Sequence, residues 1–185
     1  FSADWLREAK QHLTDVDHLR LHIKVDSGMG RLGLQTPEEL DAVLQELDSD
    51  VMELEGIYTH FATADELTSR LFEEQQTVFL RFVERVPDIR YIHAANSARA
   101  IRLIGQDPFN VVRIGIALYG AMPSDEMIPY YEFLRPAFTL KSRLMQVKQV
   151  EPGQTISYGA TYTAPTDEWI GTVPIGYADG WSRKF

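Results

Sequence analysis

Along Leu19-Arg20-Leu21-His22-Ile23-Lys24-Val25 apolar and polar residues alternate with period two, which predicts a strand with one buried face. A glycine-rich loop follows, from Asp26 to Gly33. Thr36-Pro37-Glu38-Glu39 then combines an N-cap, a first-turn proline and a capping-box glutamate, and Leu40, Val43, Leu44 and Leu47 continue at helical spacing. The sequence strand, loop, amphipathic helix then recurs. Leu54 to Phe61 reads as a strand, and Val78, Phe79, Phe82, Val83 and Val86 mark one face of a helix stopped by Pro87. Ile89 to Ala94 predicts a third strand, with a short helix from Ala98 to Ile104 opened by Asn96-Ser97 and closed by Gly105. The apolar run Val111 to Tyr119 predicts a fourth strand.

Strands alternating with helices at this spacing call for parallel pairing through helical crossovers, hence an α/β fold. A complete eight-stranded β/α barrel needs roughly 250 residues, so four units are either part of one or an open sheet. After Arg135-Pro136 the texture changes. Phe138 to Val150 reads as one long strand, Glu151-Pro152-Gly153-Gln154 as a turn, and short β-rich pieces without helical period follow. Two domains are therefore expected, an α/β part over 1–135 and the beginning of an all-β domain over 136–185. The first residues, Phe1 to Leu6, carry no basic or cleavable leader pattern and read as the interior of a longer chain. Four units with open edges would expose apolar strand rims, so this stretch alone is expected to be poorly stable.

Composition narrows the chemistry. The 185 residues contain no cysteine, which removes disulfides, thiolate metal sites and cysteine nucleophiles. The net charge of −9 and the absence of any extended basic cluster argue against nucleic acid or an anionic membrane as partner. No stretch reaches the roughly 20 apolar residues of a membrane span.

The unusual polar residues fall at the carboxyl ends of the predicted strands or just beyond: Lys24, Asp26 and Arg31, then His60, then His93, Asn96 and Ser97, then Arg113 with Gly115 and Ile116. In barrels and open parallel sheets that rim binds ligands. Gly28-Met29-Gly30-Arg31-Leu32-Gly33 matches a dinucleotide G-x-G-x-x-G, with Glu53 about 20 residues on. The helix begins too late, at Thr36-Pro37, and Arg31 crowds the turn, so a tight loop needing glycine dihedrals is the better reading. His60 is open to three roles: metal ligand with Asp65, catalytic base, or a histidine satisfied by backbone. No second histidine stands at ligand spacing, and no metal is expected. Asn96-Ser97 is an N-cap, and the Ser97 hydroxyl is also a candidate phosphate contact. Arg113 lies between Val112 and Ile114 and needs a partner if it turns inward, because an unpaired buried charge costs several kcal/mol.

Six stretches share one further property. Lys24 to Gly33, Gly56 to Ala62, His93 to Ser97, Arg113 to Gly120, Ser157 to Tyr162 and Gly176 to Gly180 resemble, in order and spacing, the alanine racemase family of bacterial pyridoxal-phosphate enzymes. The resemblance implies the later strands of a (β/α)8 barrel that carries pyridoxal 5'-phosphate, followed by the start of the β domain, in a cytoplasmic homodimer with shared active sites. It implies interconversion of L- and D-alanine for peptidoglycan. Arg113 would meet the pyridine nitrogen, Ser97, Asn96 and the N–H groups of Gly115 and Ile116 would hold the phosphate, and His60 would lie by the ring. Arg31 would orient the substrate carboxylate and the catalytic phenolate, Tyr158 would be the base on one face, and Tyr177 would contact substrate. Lys24 matches a position carbamylated in some members. The family's Schiff-base lysine belongs to a motif upstream of Phe1, so Lys24 is not given that role, and this stretch alone is expected to be inactive. A non-catalytic pyridoxal-phosphate-binding barrel, or a racemase of another small amino acid such as serine, are the alternatives.

The physics of such a site is restrictive. Racemisation needs two bases flanking one carbon. A phenol with an ordinary pKa of about 10 serves as a base near neutrality only if cations such as Arg31 stabilise its anion.

Overall fold

The computed structural model describes residues 2–13, 19–47 and 50–182. They form two compact units, 1–137 and 138–185.

In the first unit three parallel strands lie in the order β1 (Leu19–Lys24), β2 (Met52–Tyr58) and β3 (Tyr91–His93). Isolated bridges extend the sheet at Val25–Leu34 and Ala95–Val112. Helix α2 (Pro37–Glu46) returns the chain from β1 towards β2, and its start carries the full capping box: Glu39 N–H donates to Thr36 Oγ1 while the Glu39 carboxylate accepts the Thr36 N–H. Helix α3 (Arg70–Val83) stands between β2 and β3, and α4 (Ser97–Arg102) follows β3 with Asn96 as N-cap. A first helix, α1 (Ala3–His12), was not anticipated by the hydrophobic pattern. It is fastened to α2 by Arg7 and Lys10, which reach the two oxygens of Glu46 at 2.8 and 3.0 Å.

Register explains how the two faces of the sheet differ. Ile23 pairs with Ile57 and Ile57 with Ile92, and this row faces the helices over a core that includes Leu40, Phe61, Phe79 and Phe82. The alternate rows are polar: His22–Gly56–Tyr91 and Lys24–Tyr58–His93. They keep that alignment only because the β1–β2 register shifts by one residue between Leu21 and His22, so that Glu55 has no partner across the ladder.

Two expectations are corrected. The run Val111 to Tyr119 is not a strand: after the single bridge at Val112 the chain enters a 3-10 helix, Ile116–Tyr119. The backbone N–H groups of Gly115 and Ala117 donate to Ser97 Oγ, which withdraws them from any ladder. In the second unit the predicted strand over 138–150 is confined to β4 (Gln146–Val150), the part that finds a ladder partner in β7 (Glu168–Thr172). Strands β5 (Thr155–Ile156) and β6 (Tyr162–Thr163) form a second small antiparallel pair. Among the described residues no helix is long and apolar enough to cross a membrane.

Candidate active site

The loop after β1 is shaped by its own carboxylate. Asp26 is buried, and its Oδ1 accepts the N–H groups of Gly28 and Gly30 while Oδ2 accepts that of Arg31. Burial opposes the charge on Asp26, but the backbone donors outweigh it and hold the carboxyl below its ordinary pKa. Those amides are the ones a dinucleotide pyrophosphate would need, so the G-x-G-x-x-G match is a folding device. Gly33 closes the loop at φ +127°, where an added Cβ would sit 2.5 Å from the Asp26 nitrogen.

Beyond β2, Thr59 and His60 continue the strand direction. The Thr59 hydroxyl donates to Val25 O at 2.9 Å and lies 2.7 Å from Ser27 Oγ, tying the ends of β1 and β2 together. Beyond β3, Asn96 Oδ1 accepts from Arg99 N, which leaves Ser97 buried at the start of α4. Because Ser97 Oγ already accepts two N–H groups, its own hydrogen remains to be donated.

Arg113 is the centre of the arrangement. Its Nη1 donates to His93 Nδ1 at 2.7 Å and to His93 O at 3.1 Å, and its Nη2 donates to Thr59 O at 2.6 Å and approaches His60 Nδ1 at 3.4 Å. The guanidinium carbon lies 5.1 Å from the centre of the Tyr58 ring. The partner that a half-buried arginine demands is thus a set of carbonyls and imidazole nitrogens, not a carboxylate. Burial lowers the affinity of Arg113 for its proton, and Tyr58 opposes that shift.

His60, Asn96, Ser97, Arg113, Gly115 and Ile116 line one cleft of about 440 Å3, a size suited to a small cofactor. Lys24 and Arg31 share its electrostatics. Burial, then Arg113, Arg31 and Lys24, push the pKa of His60 down, so its ring stays neutral near pH 7. Burial and then Arg31 lower that of Lys24, with Asp26 opposing. In a chain of net charge −9, three cations gathered around neutral imidazoles form a local sink for anions.

Tyr158 and Tyr177 belong to the second unit, where their side chains are 92% and 74% exposed. Tyr158 follows Ser157, whose φ of 63° and ψ of −171° fall in a region populated almost only by glycine. Four contributors escaped the sequence reading of the site: His22, Glu55, Tyr58 and Thr59. The signal for His22 was present, since Arg20, His22 and Lys24 share one strand face.

Residues 1–123 match the family model described as alanine racemase, N-terminal domain, and residues 137–185 the one described as alanine racemase, C-terminal domain. The chain is 47% identical to an alanine racemase of Geobacillus stearothermophilus, with all of this chain and 48% of the relative aligned. It is 48% identical to alanine racemase 1 of Bacillus subtilis, with the same coverage. Among solved structures, alanine racemase from Bacillus anthracis with bound L-Ala-P superimposes with a TM-score of 0.82 at 44% identity, covering 98% of this chain and 48% of that one. The chain therefore spans about half the length of the relatives it matches.

Proposed function

This chain belongs to the alanine racemase family, and from that premise we propose that it supplies the later strands of a pyridoxal-phosphate (β/α)8 barrel and the opening of a β domain in a protein that interconverts L- and D-alanine. The residues fit the cofactor by their donor chemistry. A dianionic phosphate suits the remaining hydrogen of the Ser97 hydroxyl with the N–H group of Ile116, whereas the Gly115 N–H, expected to join them, is donated to Ser97 Oγ and orients that hydroxyl instead. Asn96 supports the phosphate from the N-cap, and a neutral pyridine nitrogen suits the Arg113 guanidinium. Pyridoxal phosphate, when bound, supplies the electron sink that acidifies the α-hydrogen of an amino acid.

The remaining roles fall to side chains of this protein. Arg113, with an ordinary pKa above about 12, retains its hydrogen and leaves the pyridine nitrogen unprotonated. His60, kept neutral, lies beside the ring without adding charge. Arg31 binds the substrate carboxylate and stabilises the phenolate of Tyr158, which moves a proton at the substrate α-carbon on one face; Tyr177 lines the substrate side. Lys24, next to Arg31, is the position for carbamylation, since exchanging its cation for an anion turns a repulsion into a pair. Tyr158 and Tyr177 act in the cleft of a second copy, which makes the homodimer the active form, a cytoplasmic enzyme with no nucleic acid or membrane partner.

The observation that carries this reading is the Arg113 guanidinium held by imidazoles and carbonyls in the cleft that contains Ser97. The test is to assay the full-length protein with each enantiomer of alanine, and with serine in parallel, with and without added pyridoxal phosphate. Conversion of both alanine enantiomers that depends on the cofactor is the expected result. Cofactor binding without conversion would replace it with a non-catalytic holder, and faster conversion of serine would reassign the substrate.

A further inference from the structure

Arg113 is a half-buried cation with no carboxylate paired to it among the described residues. A carboxylate nevertheless stands at the far end of a chain of contacts. His93 Nδ1 meets Arg113 Nη1 at 2.7 Å, His93 Nε2 meets His22 Nδ1 at 2.8 Å, and His22 Nε2 faces Glu55 Oε2 at 3.5 Å.

The direction of every hydrogen in this chain follows from its arginine end. A guanidinium only donates, so His93 Nδ1 must accept and His93 carries its hydrogen on Nε2. That hydrogen is donated to His22 Nδ1, which must then be bare, so His22 carries its hydrogen on Nε2, towards Glu55. Neither ring can take a second proton without setting N–H against N–H. The two imidazoles then align their dipoles from cation to anion.

The fold makes room for this arrangement at some cost to regularity. An added Cβ at Gly56 would sit 2.5 Å from His22 Nδ1, so the ring occupies space that only glycine leaves. The register shift between Leu21 and His22 sets His22 opposite Gly56 instead of Glu55. Tyr91 stacks on the other side of Gly56 with its ring 5.8 Å from His22, and Tyr58 stacks on His93 at 4.8 Å. Glu55 is buried and held by Arg20 and Arg90 at 3.3 and 3.5 Å.

We propose that His22 and Glu55 are positioning residues for Arg113: Glu55 orients His22, His22 accepts the Nε2 hydrogen of His93 and holds that ring in place, and His93 presents a bare Nδ1 that holds the guanidinium towards the cleft. The functional half of this inference rests on reading Arg113 as the partner of the pyridine nitrogen.

Ring 15N spectra of the full-length protein test the tautomers without any substitution. At about pH 8, above the ordinary imidazole range, both histidines are expected to carry their hydrogen on Nε2; a hydrogen on either Nδ1 overturns the proposal. Two variants test the role. His22→Phe keeps a ring over Gly56 but removes the acceptor, and Glu55→Gln keeps shape and an acceptor oxygen but removes the charge. In His22→Phe the His93 Nε2 signal is expected to shift with the loss of its hydrogen-bond acceptor and pyridoxal phosphate to bind about tenfold more weakly, as loss of an orienting partner commonly does. Glu55→Gln should move both readouts in the same direction by less. Wild-type spectra and wild-type cofactor affinity in both variants would overturn the role, and Glu55→Gln alone decides if His22→Phe does not fold. A wild-type protein with the expected ring pattern that binds no pyridoxal phosphate would remove the proposed function, and the positioning role with it, while the tautomers stood.

Discussion

The imidazole of His93 lies flat on the phenol ring of Tyr58, with centroids 4.8 Å apart and planes 5° from parallel. The same phenol ring carries the Arg113 guanidinium at 5.1 Å. One aromatic side chain thus supports both members of the Arg113–His93 hydrogen bond. Replacing Tyr58 with Leu removes both ring contacts and should cost about 1–2 kcal/mol of stability beyond the change in apolar area. Tyr58→Phe keeps the ring faces and should lose much less. Urea unfolding of the two variants separates these outcomes, and equal losses would contradict the stacking account.

Acid should weaken the fold through His93 before it reaches the carboxylates. Burial, then Arg113 and His22, lower the pKa of His93 from 6.5 to about 4. The unfolded chain therefore binds this proton more readily than the folded one. The stability from a neutral His93 is complete above about pH 6.5 and is lost as pH falls towards 4, up to about 3 kcal/mol. His93→Gln should flatten this segment of the curve of urea midpoint against pH. Asp26, whose pKa is lowered, loses its contribution in a later window that opens as pH falls into the ordinary carboxylate range and closes below it.

The loop after β1 should be intolerant at its closing residue. At Gly33 an added Cβ would lie 2.5 Å from Asp26 N and 2.7 Å from Val25 C, both backbone atoms, at a φ of +127°. Gly33→Ala is expected to cost about 3 kcal/mol. Asp26→Asn, which leaves one oxygen for three N–H groups, should cost about 2 kcal/mol. Thermal melts of both variants check this, and a Gly33→Ala variant as stable as wild type would show that the loop relaxes freely.

Ser157 should be improved by the residue its backbone already imitates. With φ 63° and ψ −171°, it is strained where glycine is not. Ser157→Gly is expected to stabilise the protein by about 1 kcal/mol, less the entropy that glycine adds to the unfolded chain. A lower melting temperature would indicate that the serine hydroxyl holds something more valuable than the strain it endures.

What could be read from the sequence was what local physics decides. The Thr36–Glu39 capping box and the period-two pattern of β1 needed no distant partner, and both are present. Arg113 could be singled out because a charge between Val112 and Ile114 is anomalous anywhere. Its partners could not, because Thr59 O and His93 Nδ1 are joined to it only by the sheet. Likewise the apolar run after Val111 matches a strand locally, and only the Ser97 hydroxyl, 18 residues upstream of Gly115, draws it into a 3-10 turn. The shifted register at His22 leaves no trace in the alternation of either strand, so the juxtaposition of His22 with His93 became visible only in three dimensions.

The Asp26 carboxylate has one more implication. Because the loop around Gly28 and Gly30 is wound on a charge of its own, it has its final shape before any visitor arrives. Little entropy is left to lose on binding, and the Arg31 backbone is already anchored, as the carboxylate contact proposed for its side chain requires. Under the proposed racemisation such rigidity is an advantage, because a clamp that reshaped itself around one hand would tend to favour it.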